Sequence, residues 1–496
     1  MELKSHSQNQ YSSESAFNDQ NSLRKKKAKI YTILVTSFLL TLSAIIIIIF
    51  ASKKTFKSNN NIKASSNDEN LELGENNIFI NVIKAKYITV DKTSKMKIIN
   101  VQNKDLNIKL FIDGNEVPFS EEYLLNESRV YNVEFKFNEE LKNLSSLFEN
   151  AISLREIDFS RAKMDEVTSL EYLFYRCTFL EKVKISNLKK SKVKSMRSMF
   201  ESCIYLKEVD MDGFDTSNVI NTKSLFRYCH NLVKINLEID LTNSEDASSM
   251  FESCFKLKEI KIKNGIESSP IRMAGMFGSC KSLINLNLDD FNRKKVIDLH
   301  YMFSGCSSLK FIDFSKFDTS EVKDISYLFN LCYSLKYIDF SDINLDNVIH
   351  MGNTFRNCSS LQYVDLSNFN TSKVINMEGL FSGCSSLKMV ELNKYKIDIK
   401  ELTNLFTNCT SLKYVSLRVD RAKIVSSLFT GCTSLEYLDL SKFNGEAIDS
   451  FGNDDIIPSG LKNATIKYSS SIIGSKLREM IPKDCISIDI EANDEL

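Results

Sequence analysis

The sequence predicts an α/β repeat solenoid of about twelve strand–turn–helix coils, and three regularities predict it. Phenylalanine recurs as Phe148, Phe174, Phe200, Phe226, Phe251, Phe277, Phe303, Phe329, Phe355, Phe381, Phe406 and Phe429. The spacing is 26 residues, except for 25 before Phe251 and Phe406 and 23 before Phe429. A leucine stands six residues after each one, from Leu154 to Leu435, and a cysteine three residues after all but the first, from Cys177 to Cys432. So strict a period means one supersecondary unit stacked on copies of itself.

The repeat Leu309 to Phe329, LKFIDFSKFDTSEVKDISYLF, shows the expected elements in order. Leu309, Ile312 and Phe314 follow the L-x-x-L-x-L spacing of a leucine-rich-repeat strand. Side chains alternate along a strand, so Ile312 and Phe314 point into the core while Phe311 and Asp313 point away. Asp318, Thr319 and Ser320 suit a turn or a helix N-cap, because their oxygens accept bonds from unpaired backbone N–H groups. Val322, Ile325, Leu328, Phe329 and Cys332 then share one helical face. A single unit cannot bury both apolar surfaces; a stack of them makes one continuous core.

The repeated wording, as in MFSGCSSLKFIDFSKFDTSEV, resembles the BspA-like surface proteins with 26-residue leucine-rich repeats, over Leu144 to Phe443. The resemblance implies a curved solenoid, a cell-surface address and an adhesive or binding role. It names no ligand, since one scaffold serves many partners.

The flanks divide the rest of the chain. Ile30 to Ala51 is apolar and uncharged; as a helix it would span roughly 33 Å, enough for a bilayer core. It reads as a transmembrane signal anchor, being longer than the apolar core of a cleaved signal peptide and preceded by a polar leader. A cleaved signal is the alternative. No cysteine precedes Cys177, so there is no lipobox. Arg24, Lys25, Lys26, Lys27 and Lys29 outnumber Lys53, Lys54 and Lys57 across the span, which puts residues 1–29 in the cytoplasm as a disordered tail and the repeats outside. Residues 52–75 read as a flexible linker. Residues 76–140 read as a small β-rich module covering the first coil, with Asp113-Gly114 as a turn. The solenoid proper occupies 141–443, and 444–496 form a C-terminal cap and tail.

Lys plus Arg equals Asp plus Glu at 64 each, so bulk charge favours neither nucleic acid nor a basic partner. The four histidines, His6, His230, His300 and His350, share no repeat position and sit in no general-base constellation. No C-x-x-C zinc spacing occurs. The chain is therefore expected to be no enzyme, with no catalytic residue, cofactor or metal. The repeat cysteines are expected to be reduced and buried, because one identical residue per coil has no natural pairing partner; disulfides between neighbouring coils are the alternative. The C-terminal Asn-Asp-Glu-Leu resembles the Lys-Asp-Glu-Leu retrieval signal but departs at its first residue.

The candidate site lies on the outward strand positions. Phe311, Tyr337, Tyr363, Met389, Tyr414 and Tyr437 occupy one repeat position, where Glu156, Lys182, Glu208, Lys234, Glu259 and Asn285 stand earlier. Two residues on lie Asp313, Asp339, Asp365, Glu391, Ser416 and Asp439. The expected ligand-binding set is Phe311, Tyr337, Tyr363, Tyr414 and Tyr437 with Asp313, Asp339, Asp365 and Asp439. Tyrosine supplies contact area at low entropic cost; the competing reading is a cross-strand ladder that only stabilises the sheet. The function expected is a membrane-anchored surface protein that binds a protein or glycan on its concave face. The alternatives are an endoplasmic-reticulum lumenal binding protein or an architectural coat protein.

Overall fold

A computed structural model describes residues 81–489, apart from 90–94, 102–105, 126, 186–187, 189–191, 264–270, 287–293, 315–316, 341–342, 367–369, 398, 400, 420–421, 423, 444–449, 452–455, 459 and 470–478. All of these belong to one unit, Gly74–Leu496. The repeats build a β-solenoid, and the expected helix of each coil is absent: no described residue of the repeats is helical. The expected membrane helix at 30–51, with the tail 1–29, the linker 52–75 and the start of the β-rich module, lies outside the described residues. Among the described residues no helix is long and apolar enough to cross a membrane.

Backbone geometry explains why the helix fails. In every coil the residues two before and two after the repeat phenylalanine have positive φ. Tyr327 (58°) and Leu331 (62°) flank Phe329, and Ser198 (52°) and Ser202 (65°) flank Phe200. Left-handed residues four apart cannot sit in a right-handed helix. Serine, asparagine and glycine hold most of these places, and the chain turns tightly around the phenylalanine instead of coiling.

Those turns stack. The amide N–H of each repeat phenylalanine donates to the carbonyl of the residue before the next one, from Phe148 to Leu173 (3.0 Å) through Phe406 to Leu428 (2.9 Å). The rings stack in the same order, nearly parallel, with centroids 5.2 Å apart between Phe200 and Phe226 and 5.8 Å between Phe329 and Phe355. All twelve are fully buried. Each repeat cysteine thiol donates to the carbonyl of the preceding coil's phenylalanine, from Cys177 to Phe148 (3.0 Å) to Cys432 to Phe406 (3.1 Å). The repeat cysteines are thus free and buried, as expected, but serve as hydrogen-bond donors as well as small apolar groups. Burial pushes the Cys306 thiol up to about 12, so it keeps its proton.

The polar bridge also acts differently from a helix cap. Asp318 Oδ1 accepts from the Ser320 amide (3.0 Å) and Asp215 Oδ1 from Ser217 (2.9 Å). These side chains close short turns over their own backbone, the other use of such residues. A second set, Asn221, Asp246 and Asp324, does the same five residues before the phenylalanine, where adjacent coils meet in parallel bridges.

The strand row is paired at both ends, in one sheet at the first and in two at the second. Leu154–Arg161, Lys182–Lys184, Glu208–Asp210 and Lys234–Asn236 pair in parallel register. Tyr337–Asp339 pairs with Tyr363–Asp365, and Met389–Ile397, Tyr414–Val419, Tyr437–Phe443, Thr465–Tyr468 and Ile486–Asp489 form a five-stranded sheet. Before the first coil, Asn81–Ile88 pairs antiparallel with both Val130–Phe137 and Leu154–Arg161, so the leading edge of the parallel stack is covered. Ile108–Ile112 and Asn115–Val117 complete that sheet around Asp113 and Gly114, whose φ of 49° and 83° make a hairpin turn of the primed type.

Candidate functional site

Parallel pairing brings equivalent residues of neighbouring coils side by side, so each outward position becomes a row. In the first coils the row alternates in sign: Glu156, Lys182, Glu208 and Lys234 are register partners, with Lys234 Nζ 3.9 Å from Glu208. That surface neutralises itself.

From Tyr337 onward the same row is aromatic. Tyr337 stacks on Tyr363 with centroids 6.1 Å apart, and Tyr414 on Tyr437 at 5.0 Å. All four are half-buried, because each ring covers a face of its partner and leaves an edge outside. The structure makes two pairs rather than one stripe, with Met389 in register with Tyr414. Phe311, half exposed at 49%, precedes them outside any strand.

The acidic row lies beside the rings. Asp313 and Asp339 are exposed, Tyr337 Oη donates to Asp339 Oδ2 (3.0 Å), and the Asp365 backbone is in register with Asp339. Asp439 is half-buried; it accepts from the Ser441 amide (3.0 Å), and Lys467 Nζ lies 4.0 Å away. Burial, with Glu391, Tyr437 and Asp439 nearby, raises the Tyr414 hydroxyl to about 12, so it stays a donor. Such a surface offers phenol edges and carboxylates, which suit contact and hydrogen bonding rather than bond-making.

A second feature was missed by the sequence reading. The row two residues before each phenylalanine is also outward in part, and Tyr301 stacks there on Tyr327 with centroids 4.5 Å apart. One coil earlier the position is Gly275, flanked by Ala274 and Gly278, and the wall opens into a cavity of about 460 Å³. Comparing that one position across the twelve repeats would have exposed it. Among the described residues no group of three His, Cys, Asp or Glu side chains could hold a metal ion.

A family model described as "Mycoplasma protein of unknown function, DUF285" matches residues 142–265, 266–363 and 332–443, more than half of the chain. The chain belongs to that family. No curated protein matches it. Among solved structures it is similar to a leucine rich cell surface protein from Faecalibacterium prausnitzii A2-165, at 18% identity over 61% of this chain and 88% of that one, with a TM-score of 0.34. It is also similar to the plant peptide hormone receptor RGFR1 in complex with RGF2, at 13% identity over 72% of this chain and 70% of that one, with a TM-score of 0.19. TM-scores this low transfer no role. The family match supports the repeat architecture that the BspA-like resemblance implies, while the cell-surface address is the first neighbour's own.

Proposed function

We propose that the chain is a non-enzymatic binding protein that docks a protein or glycan ligand on the strand row of its C-terminal coils. One observation carries this reading: the row changes from self-neutralising Glu and Lys to stacked tyrosines beside carboxylates, without any change in the core beneath it. Ile312, Ile338 and Val364 are buried, as Val183 and Val209 are. The core therefore does not require the switch, and exposed aromatic edges beside acids suit a partner carrying cationic groups. We place the repeats outside the cell, held at the membrane by the apolar run 30–51; protease added to intact cells then cleaves them, and full protection refutes the placement.

Binding is tested with the full chain carrying Tyr337→Ala with Tyr363→Ala, against a control carrying Lys182→Ala with Lys234→Ala. Adhesion and ligand capture fall about tenfold or more in the tyrosine variant, the scale of a truncated aromatic anchor, and hold in the control. Equal binding by both variants, with melting unchanged, makes the tyrosines a structural ladder only.

A further inference from the structure

We propose that the cavity at Gly275 is a binding site for one or two rings of a neutral saccharide, separate from the strand row and independent of the function proposed for it. Tyr327 covers one face of Tyr301, and the two rings are parallel within 6°. The stack runs from coil to coil, so the other face of Tyr301 is turned to the preceding coil. There stands Gly275, at φ +61°, with no side chain to cover it. No side chain at the equivalent position covers that face, the His300 ring meets Tyr301 nearly at right angles with centroids 5.6 Å apart, and Tyr301 is 43% exposed.

Polar groups surround that face. A Cβ on Gly275 would lie 3.4 Å from Ser249 Oγ and 3.9 Å from Glu252 Oε2, so a hydroxyl and a carboxylate reach the floor. Glu252 is held in place by Arg227 Nε at 2.9 Å, and Asp298 by His300 Nδ1 at 2.6 Å. Lys223 and Arg272 also line the cavity, against Asp246, Glu252 and Asp298. The lining charges nearly cancel, which gives neither an anion nor a cation a reason to enter.

What fits is a molecule with an apolar flat side and a polar rim. A pyranose ring stacks its C–H face on an aromatic ring and spends its hydroxyls on carboxylate acceptors and cationic donors at the edge. A cavity of about 460 Å³ is in the range of small-ligand sites, typically ~300–1,000 Å³.

The fold supplies clean variants. Tyrosine already occupies the position equivalent to Gly275 at Tyr172, Tyr301 and Tyr327, with φ of 56° to 58°. Gly275→Tyr therefore continues the stack and fills the cavity in a backbone conformation that the fold already accepts for tyrosine. Serine occupies the position equivalent to Tyr301 at Ser198, Ser224 and Ser249, so Tyr301→Ser removes the platform at little cost to the turn. Saturation-transfer NMR on the full chain, with glucose, galactose, N-acetylglucosamine, lactose and maltose as probes, is the test. At least one sugar receives saturation at its ring protons, affinity drops at least tenfold in both variants while melting holds, and Tyr337→Ala with Tyr363→Ala leaves it unchanged. The proposal is overturned if no sugar in the panel binds, if binding persists in both variants, or if choline binds at Tyr301 where the sugars do not.

Discussion

The turn row and the strand row pass through the same coils, yet they are held by different means. Around the phenylalanines the ladder of amide bonds, stacked rings and thiol donors runs unbroken from Phe148 to Phe429. Along the strands, pairing stops after Lys234–Asn236 and resumes at Tyr337–Asp339; among the described residues the intervening coils, with Glu259, Asn285 and Phe311, make no ladder at that position. In that interval other segments pair instead, such as Ile271–Arg272 with Lys294–Asp298. The difference separates what specifies the fold from what the fold leaves free. A repeat phenylalanine stacks on its copies above and below, and each repeat cysteine bonds to the coil before it, so neither can change alone. An outward strand residue has solvent on one side, and the row can drift from Glu and Lys to Tyr.

The largest effect expected from this contrast is alkaline. The buried thiols hold their protons above the ordinary value of 9.0, with Cys306 raised to about 12. Their stabilisation is fully present below pH 9 and is lost as pH rises towards 12, because the unfolded chain releases protons that the folded chain keeps. For Cys306 alone that is roughly 4 kcal/mol. Denaturant midpoints at pH 8, 9 and 10 should fall steeply above 9; a flat profile would mean that the thiols are not sealed in the turn row.

Next come single truncations in the two rows. Phe329→Ala removes a ring stacked between Phe303 and Phe355 and should cost about 3–5 kcal/mol; Leu361→Ala, at the foot of the strand, should cost about 2–5 kcal/mol. Damage from either should spread to adjacent coils before the array melts. A loss below about 0.5 kcal/mol, the scale of surface sites, would show that the residue is not in the core.

The smallest effect is the most specific. Leu331 holds φ of 62° where other coils carry Gly305, Asn357 or Gly383. Leu331→Asn should be neutral or stabilising by up to about 1 kcal/mol, and Leu331→Val destabilising by a similar amount. Thermal melts of the two variants decide it, and a helical coil would favour leucine over both.

Much of the core was legible from spacing. Val322, Ile325, Leu328, Phe329 and Cys332 were read as one apolar face, and all are buried. Their conformation was misread because intervals of three and four residues fit a helix as well as a tight turn. The deciding signal lay in the residues between them: Ser198, Ser224 and Ser249 before the phenylalanine, and Asn357, Gly383 and Asn408 after it, are residue types that tolerate positive φ or close local turns. The tyrosine pairs were legible because parallel register follows from the repeat. The gap in pairing between Tyr363–Asp365 and Met389–Ile397 and the missing strand at Phe311 were not, because they depend on how each coil pairs. Gly275 escaped notice because its meaning comes from the tyrosine one coil later.

Amide hydrogen exchange on the full chain tests the central claim, a helix-free solenoid carried by its turn row. The amides of the repeat phenylalanines, and of the residues two before and two after them, should be protected in every coil, from Phe148 to Phe406. Outward strand amides near Glu259, Asn285 and Phe311 should exchange much faster. Even protection along the strand row, equal to that of the turn row, or helical Cα chemical shifts across residues 322–332 would contradict it.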